Sequence, residues 1–439
     1  MLEKFFKLSE HSTNIRTEIL AGFTTFLTMA YIIFVQVQVL TQAGMDPGSV
    51  MVATCIASAI ATILMGLLAN YPIGLAPGMG ENFFFLYSIV LGFGIGWDKA
   101  LGMVFISGTV FILLSLLKIR EMVINAIPHC LKVAIAVGIG IFISFIGLIE
   151  AGIVVKSAGG IVAKGNFSEP PVMLAIAGLL IIGILAVRKV RGFIIIGIIA
   201  TAIIGIATGI LKYQGIFSLP PSIKPTLFKL DILGVLKFEY IVPILTLLYM
   251  DMFDTIGTLI GVTSQAGLIK NDKLPRASQA LFSDAVGTVA GALLGTSTVT
   301  SYIESITGIK SGGRTGLTAI TIGILFLLAL FFFPIVEMIA RPIQLSNGSM
   351  IHPVTAPALI MVGAMMMAGI RDIAWDNLVE AIPAFLTIIA IPFTFSIADG
   401  IAIGFISYPI LMLCAGKGKK VSWLVYVLGI LFVARYVFL

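Results

Sequence analysis

Eleven stretches of this 439-residue chain, 19–45, 49–80, 100–117, 133–149, 172–187, 192–211, 285–303, 315–336, 342–370, 381–398 and 400–416, contain no aspartate, glutamate, lysine or arginine. Most approach or exceed the roughly 20 apolar residues that a helix needs to span the hydrocarbon of a bilayer. Lipid offers a backbone N–H or C=O no partner, so such stretches are forced into helices that satisfy their peptide groups internally. A composition 59% hydrophobic and 11% charged, with a mean hydropathy of +1.11, cannot clothe a water-soluble domain of this size. The chain reads as an all-α polytopic protein of the lipid bilayer.

Basic residues set its orientation. Lys118/Arg120, Arg188/Lys189/Arg191, Lys270/Lys273/Arg276, Lys310/Arg314, Arg371 and Lys417/Lys419/Lys420 fall after an even number of spans if the N-terminus starts in the cytoplasm, as the positive-inside rule requires. Fourteen spans are expected, at 17–42, 49–70, 77–92, 99–118, 131–150, 171–187, 192–212, 239–264, 276–294, 301–310, 316–337, 353–369, 378–396 and 399–415. Both ends are then cytoplasmic, in a multi-pass protein of the cell membrane. The polar leader, Glu3 to Glu18, enters an apolar run too long for a signal-peptide core, so no cleavage is expected. Segment 421–438 either lies at the interface, the reading favoured here, or makes a fifteenth crossing. The net charge of +6 belongs to these loops, and no nucleic-acid partner is expected. Cys55, Cys130 and Cys414 are odd in number with no paired spacing, which points to packing rather than a disulfide or thiolate site.

Lys212 to Lys237, with Pro220, Pro221 and Pro225, divides the chain near its middle. The halves resemble each other: Gln42-Ala43-Gly44 and Gln265-Ala266-Gly267 each close a first span, and Gly66-Leu67-Leu68 and Gly291-Ala292-Leu293-Leu294 each precede a broken third one. Seven spans per half is an odd number, so the second half enters the membrane inverted, an arrangement typical of secondary transporters. In the broken spans, Pro72 and Pro77 oppose a continuous helix. The β-branched run Thr296 to Thr300 favours extended chain. Such backbone survives at membrane depth only where it is buried in protein or lines a cavity, so the two segments are expected to meet, their half-helices aiming positive ends at a ligand.

Asp251 and Asp254 share one face of the eighth span, and Glu304 starts the tenth. A charge at the centre of a membrane helix costs about 2.5–3.5 kcal/mol on insertion scales, which marks these acids as a working site by default. Carboxylates there suit the N–H groups of a planar polar heterocycle, whereas capture of an anion would call for Arg or Lys. Asn82 offers a donor and an acceptor or caps its half-helix, and Asp254 serves either the ligand or the core. Backbone N–H groups near Gly78 and Ser301 would take acceptors, and Phe83 would stack on a ring. Glu81 faces either the site or the loop. His129 and His352, beside Pro128 and Pro353, read as boundary residues.

Ala76-Pro77-Gly78-Met79-Gly80-Glu81-Asn82, Asp251-Met252-Phe253-Asp254-Thr255-Ile256-Gly257-Thr258 and Thr298-Val299-Thr300-Ser301-Tyr302-Ile303-Glu304-Ser305, with Gly312-Gly313-Arg314-Thr315-Gly316, resemble the hypoxanthine/guanine/adenine permease branch of the nucleobase-ascorbate transporter superfamily. The resemblance spans nearly the whole chain, including Ala356 to Gly363 and Ile382 to Thr387. It departs at Glu81, often apolar in that branch, and at Phe83 to Phe85. It implies two inverted seven-span repeats, 1–212 and 239–415, joined by a linker at 213–238 and followed by an extra C-terminal helix at 416–439. It also implies a core (17–118 and 239–337), a gate (119–212 and 338–415) and dimers formed through the gate. The function it implies is import of purine nucleobases by alternating access, with Asn82, Asp251 and Glu304 on the substrate and Asp254 beside them. No cofactor is expected beyond a coupling ion, a proton or else sodium. Asp251 and Glu304 are the candidates to carry the proton. The alternatives are a transporter of the same fold for uracil, xanthine or a small anion and, more remotely, an intramembrane aspartyl enzyme.

Overall fold

Caps and breakers decide where each helix starts and stops. In the computed structural model, which describes residues 2–117, 127–156, 162–266, 268 and 275–438, Asn14 accepts the Thr17 N–H at 2.9 Å and opens the helix Ile15–Met29. Asp46 does the same for Pro47–Leu64 through the Ser49 N–H at 2.8 Å, with Pro47 in the first turn, where its missing N–H costs nothing. The second helix ends at Asn70, in the left-handed region at φ 51°. Its side chain donates to the Phe6 carbonyl at 3.1 Å and accepts the Gly316 N–H at 2.7 Å, tying the first half of the chain to the second. Lys118/Arg120, Gly267 and Lys270/Lys273 lie outside the described residues.

Among the described residues, eight helices are long and apolar enough to cross a membrane: Ile15–Gln42, Pro47–Ala69, Trp97–Ser115, His129–Glu150, Pro170–Val187, Phe238–Thr263, Gly316–Ala340 and Ile397–Cys414. Phe193–Ala207, Leu378–Phe393 and Trp423–Ala434 are shorter apolar helices. Leu180, Ile184, Ile203 and Ile410 face outward, as side chains against lipid would. The helices pack mainly in two sets. Pro47–Leu64, Trp97–Leu117, Ala277–Leu294 and Gly316–Ala329 form one with Ile15–Met29, while His129–Glu150, Ala356–Met366, Leu378–Phe393 and Ile397–Cys414 form another.

Both interrupted segments are extended, and they pair. Leu75–Pro77 and Val299–Ser301 form an antiparallel two-stranded sheet with Leu75 opposite Ser301, Ala76 opposite Thr300 and Pro77 opposite Val299, every residue buried. The Gly78 N–H donates to the Thr298 carbonyl and the Tyr302 N–H to the Gly74 carbonyl, both at 3.0 Å. One threonine from each preceding helix completes the backbone pairing. Thr62 Oγ1 accepts the Leu75 N–H at 2.8 Å and donates to the Leu75 carbonyl at 3.0 Å. Thr288 Oγ1 accepts the Val299 N–H at 3.1 Å and lies 3.0 Å from the Val299 carbonyl. The tenth helix starts later than expected, at Ser305, because the threonine run stays extended, and it ends at Lys310.

The C-terminal helix Trp423–Phe438 packs against Ile397–Cys414. It runs antiparallel along Ile397–Cys414: the Tyr426 hydroxyl donates to the Gly418 carbonyl at 3.0 Å near one end, the Phe405 and Phe432 rings meet at 6.0 Å midway, and the Tyr436 hydroxyl donates to Asp399 Oδ1 at 2.8 Å at the other end.

Candidate functional site

The sheet has acids around it. Asp251, on the helix Ile241–Gln265, is fully buried and accepts the Thr288 hydroxyl at 3.1 Å through Oδ2, while its Oδ1 has no partner. The Thr288 hydroxyl has one proton, so it serves Asp251 or the Val299 carbonyl at any instant. Asp284, seven residues into Ala277–Leu294, is equally buried, accepts the Thr255 hydroxyl at 2.7 Å and lies within hydrogen-bonding reach of Asp251. Thr255 Oγ1 also sits 2.7 Å from Thr300 Oγ1, so the acidic pair is tied to the strand that carries Thr300.

Glu304, half-buried, stands just before the short helix Ser305–Lys310 and accepts the Tyr31 hydroxyl at 2.8 Å. Asp254 is exposed on the same helix as Asp251, and its charge and that of Glu304 act on each other. Glu81 is buried with an unpartnered Oε2 and faces Asp254 and Asp251, not the loop. Asn82 is buried; its Oδ1 accepts the Ser297 hydroxyl and its Nδ2 is unpartnered. Five carboxyl groups from two helices and the two broken segments thus share one region. Among the described residues no lysine or arginine pairs with any of them.

Asp251, Asp254, Glu304 and Asn82 therefore border the same two segments. Two expected roles meet a different geometry. The Gly78 N–H is spent on the Thr298 carbonyl, which leaves the free N–H groups of that half-helix in the turn after it. The Ser301 N–H lies 3.5 Å from Thr255 Oγ1, while the Ser301 hydroxyl is buried without a partner, so the side chain is the available group. Phe83 is buried against protein rings, stacked on Tyr87 at 5.9 Å and edge-on to Phe142 at 6.3 Å, so one ring face is already taken. A cavity of about 390 Å³ opens beyond it, between Tyr87 to Phe93 and the turn Thr394 to Asp399.

Asp284 was not among the candidates expected from the sequence. It stands just before an uncharged stretch, yet inside the expected span 276–294, and an acid within a span signals function by the rule that picked out Asp251. Away from the acids, His352 is buried rather than a simple boundary residue. Its Nδ1 contacts Glu150 Oε2, and Gln42 donates to Glu150 Oε1 at 3.3 Å. His129, by contrast, is exposed.

A family model described as a permease family matches residues 16–403. A putative permease of Methanocaldococcus jannaschii is 54% identical over 440 residues, covering 100% of this chain and 98% of that protein. The guanine/hypoxanthine permease PbuG of Bacillus subtilis is 46% identical over 450 residues, 100% of each chain. The adenine permease AdeQ of Escherichia coli is 42% identical over 437 residues, 99% of this chain and 96% of that one. Among solved structures, the transmembrane domain of the cyanobacterial bicarbonate transporter BicA superposes with a TM-score of 0.65 at 16% identity, covering 88% of this chain and 97% of that one. At that identity the likeness is one of fold.

Proposed function

We propose, because this chain belongs to the nucleobase-ascorbate transporter family, in its branch of guanine/hypoxanthine and adenine permeases, that it imports purine nucleobases together with protons by alternating access. It is a permease of the membrane and not an enzyme. The observation that carries the substrate reading is the pairing of two broken helices beside five carboxyl groups that, among the described residues, no lysine or arginine pairs with. A purine offers ring N–H and amino donors to carboxylates and oxo or ring-nitrogen acceptors to Asn82 and Ser301. Bicarbonate or sulfate would meet like charge, which argues against an anion despite the shared fold. Asp251 and Glu304 hold the donors of the base, with Asp254 and Glu81 beside them. A proton held between Asp251 and Asp284 offsets the repulsion of two carboxylates in contact, and its release with the base couples the two.

Fourteen spans in two inverted repeats, 1–212 and 239–415, are supported by the recurring device in which Thr62 brackets Leu75 and Thr288 brackets Val299. The first packing set is the core (17–118 and 239–337) and the second the gate (119–212 and 338–415), with a dimer formed through the gate. At opposite ends of His129–Glu150 the two sets touch through Lys132 over the Phe253 ring, 5.4 Å from its centre, and through Gln42 on Glu150. These contacts are placed to break in turn as the core moves. The C-terminal helix makes a fifteenth crossing beside Ile397–Cys414, which, with the N-terminus in the cytoplasm, puts the C-terminus outside. A reporter fused after residue 439 that is active only in the cytoplasm removes that crossing.

Labelled hypoxanthine uptake into sodium-free vesicles tests the whole. Uptake driven by an inward proton gradient and competed by unlabelled guanine and adenine is the expected result. Uptake indifferent to the gradient removes proton coupling, and competition by bicarbonate or sulfate but no purine overturns the substrate.

A further inference from the structure

We propose that Gln36 is a positioning residue that sets the hydrogen-bond polarity of Asn82, and through it the choice between a 6-oxo and a 6-amino purine. This rests on reading the cleft as a purine site. Gln36 is fully buried in the middle of Tyr31–Gln42. Its Nε2 donates to Thr296 Oγ1 and to Ser297 Oγ, each at 2.9 Å, so both protons of the amide are spent. Thr296 is held in turn by Thr54, its Oγ1 3.3 Å away.

A serine hydroxyl has one proton to give. Because Ser297 Oγ already accepts from Gln36, its own proton goes on to Asn82 Oδ1. Asn82 Oδ1 is thereby occupied, and the group left unpartnered is Nδ2, a donor. The chain from Gln36 through Ser297 to Asn82 runs in one direction. It makes Asn82 present N–H to a ligand beside Glu81 and the start of the half-helix Met79–Phe83. A base with an acceptor at its 6-position, such as hypoxanthine, gains a hydrogen bond there. A 6-amino base sets donor against donor, and a site that leaves buried polar groups facing without a bond rejects that ligand strongly.

Removing the donor at either step frees the direction of the chain. In Gln36→Leu the Ser297 hydroxyl no longer has to point at Asn82, and the Asn82 amide can turn over, giving Nδ2 to Ser297 and its oxygen to the ligand. Ser297→Ala removes the link itself. Ser297→Thr keeps a hydroxyl and restores it.

The test is inhibition of labelled guanine uptake by hypoxanthine and by adenine, in wild type and in these three variants at matched amounts of membrane protein. Hypoxanthine is expected to inhibit the wild type more strongly than adenine. The ratio of the two inhibition constants is expected to fall about tenfold, the worth of one hydrogen bond, in Gln36→Leu and Ser297→Ala, and to hold in Ser297→Thr. Equal weakening of both bases in Gln36→Leu assigns the residue to packing alone and overturns the proposal, as does an unchanged ratio or a wild type that prefers adenine. If no purine inhibits and no guanine enters in the wild type, the purine reading itself is what fails, and the relay falls with it.

Discussion

Hypoxanthine uptake by an Asp251→Ala variant is expected to fall on the order of a hundredfold, since a hydrogen bond to a charged group contributes about 1.5–3 kcal/mol and each 1.4 kcal/mol is a factor of ten. The loss falls on transport and not on folding. Asp251 already has one oxygen unpartnered, Asp284 keeps the Thr255 hydroxyl and Thr288 still has the Val299 carbonyl to bond, so its removal strands no neighbouring group. Thermal unfolding of the ligand-free variant is therefore expected close to the wild type. Asp251→Asn keeps the size and one acceptor but not the charge, and about a tenfold loss is expected of it. Uptake is measured at equal protein in the membrane. An unchanged rate in Asp251→Ala removes the residue from the site, and a variant that fails to fold shows that the acid is structural.

Gly78→Val is expected to cut uptake about as deeply for a different reason. The backbone at Gly78, φ −72° and ψ 137°, suits any residue, so space rather than conformation requires glycine here. A Cβ at this position meets Thr300 Cγ2 at 2.7 Å and the Glu81 carboxyl carbon at 2.8 Å. It also meets Glu81 Oε2, so it displaces that carboxyl and presses on Thr300 of the paired strand. Overpacking of this kind costs about 1–3 kcal/mol, and a small misplacement of binding groups can cost about a hundredfold in rate. Gly78→Ala, with two carbons fewer, is expected to lose about tenfold. Both variants are also expected to unfold at lower temperature than the wild type. Full activity in Gly78→Val shows that the sheet does not set the geometry of the site.

The membrane character and the two helix breaks were legible from the sequence, because absence of charge and the placing of Pro72, Pro77 and the Thr296 to Thr300 run act locally. That the breaks would pair with Pro77 opposite Val299 was not, since register between segments more than 200 residues apart depends on packing. Asp251, Asp254 and Glu304 stood out as acids deep in apolar sequence. Asp284 did not, because it stands at the edge of an uncharged stretch and only the fold turns it toward Asp251. The Gly78 N–H was expected to be free, and the Thr298 carbonyl takes it, because a strand that pairs on one edge uses its end groups as well. The C-terminal helix was expected along the interface; its partners, Phe405 and Asp399, lie in a span whose neighbours cannot be read from spacing. The relay through Gln36 joins residues about 260 positions apart and has no local signature.

The most direct measurement is the thermal unfolding midpoint of the purified protein in the presence of hypoxanthine, guanine, adenine, bicarbonate and sulfate, each over a range of concentrations. A ligand that binds only the folded state raises the midpoint as its concentration passes the dissociation constant. A rise with at least one purine, absent with both anions and lost in Asp251→Ala, is the expected result. A rise with bicarbonate or sulfate and none with any purine contradicts a purine site built from these carboxylates and the paired breaks.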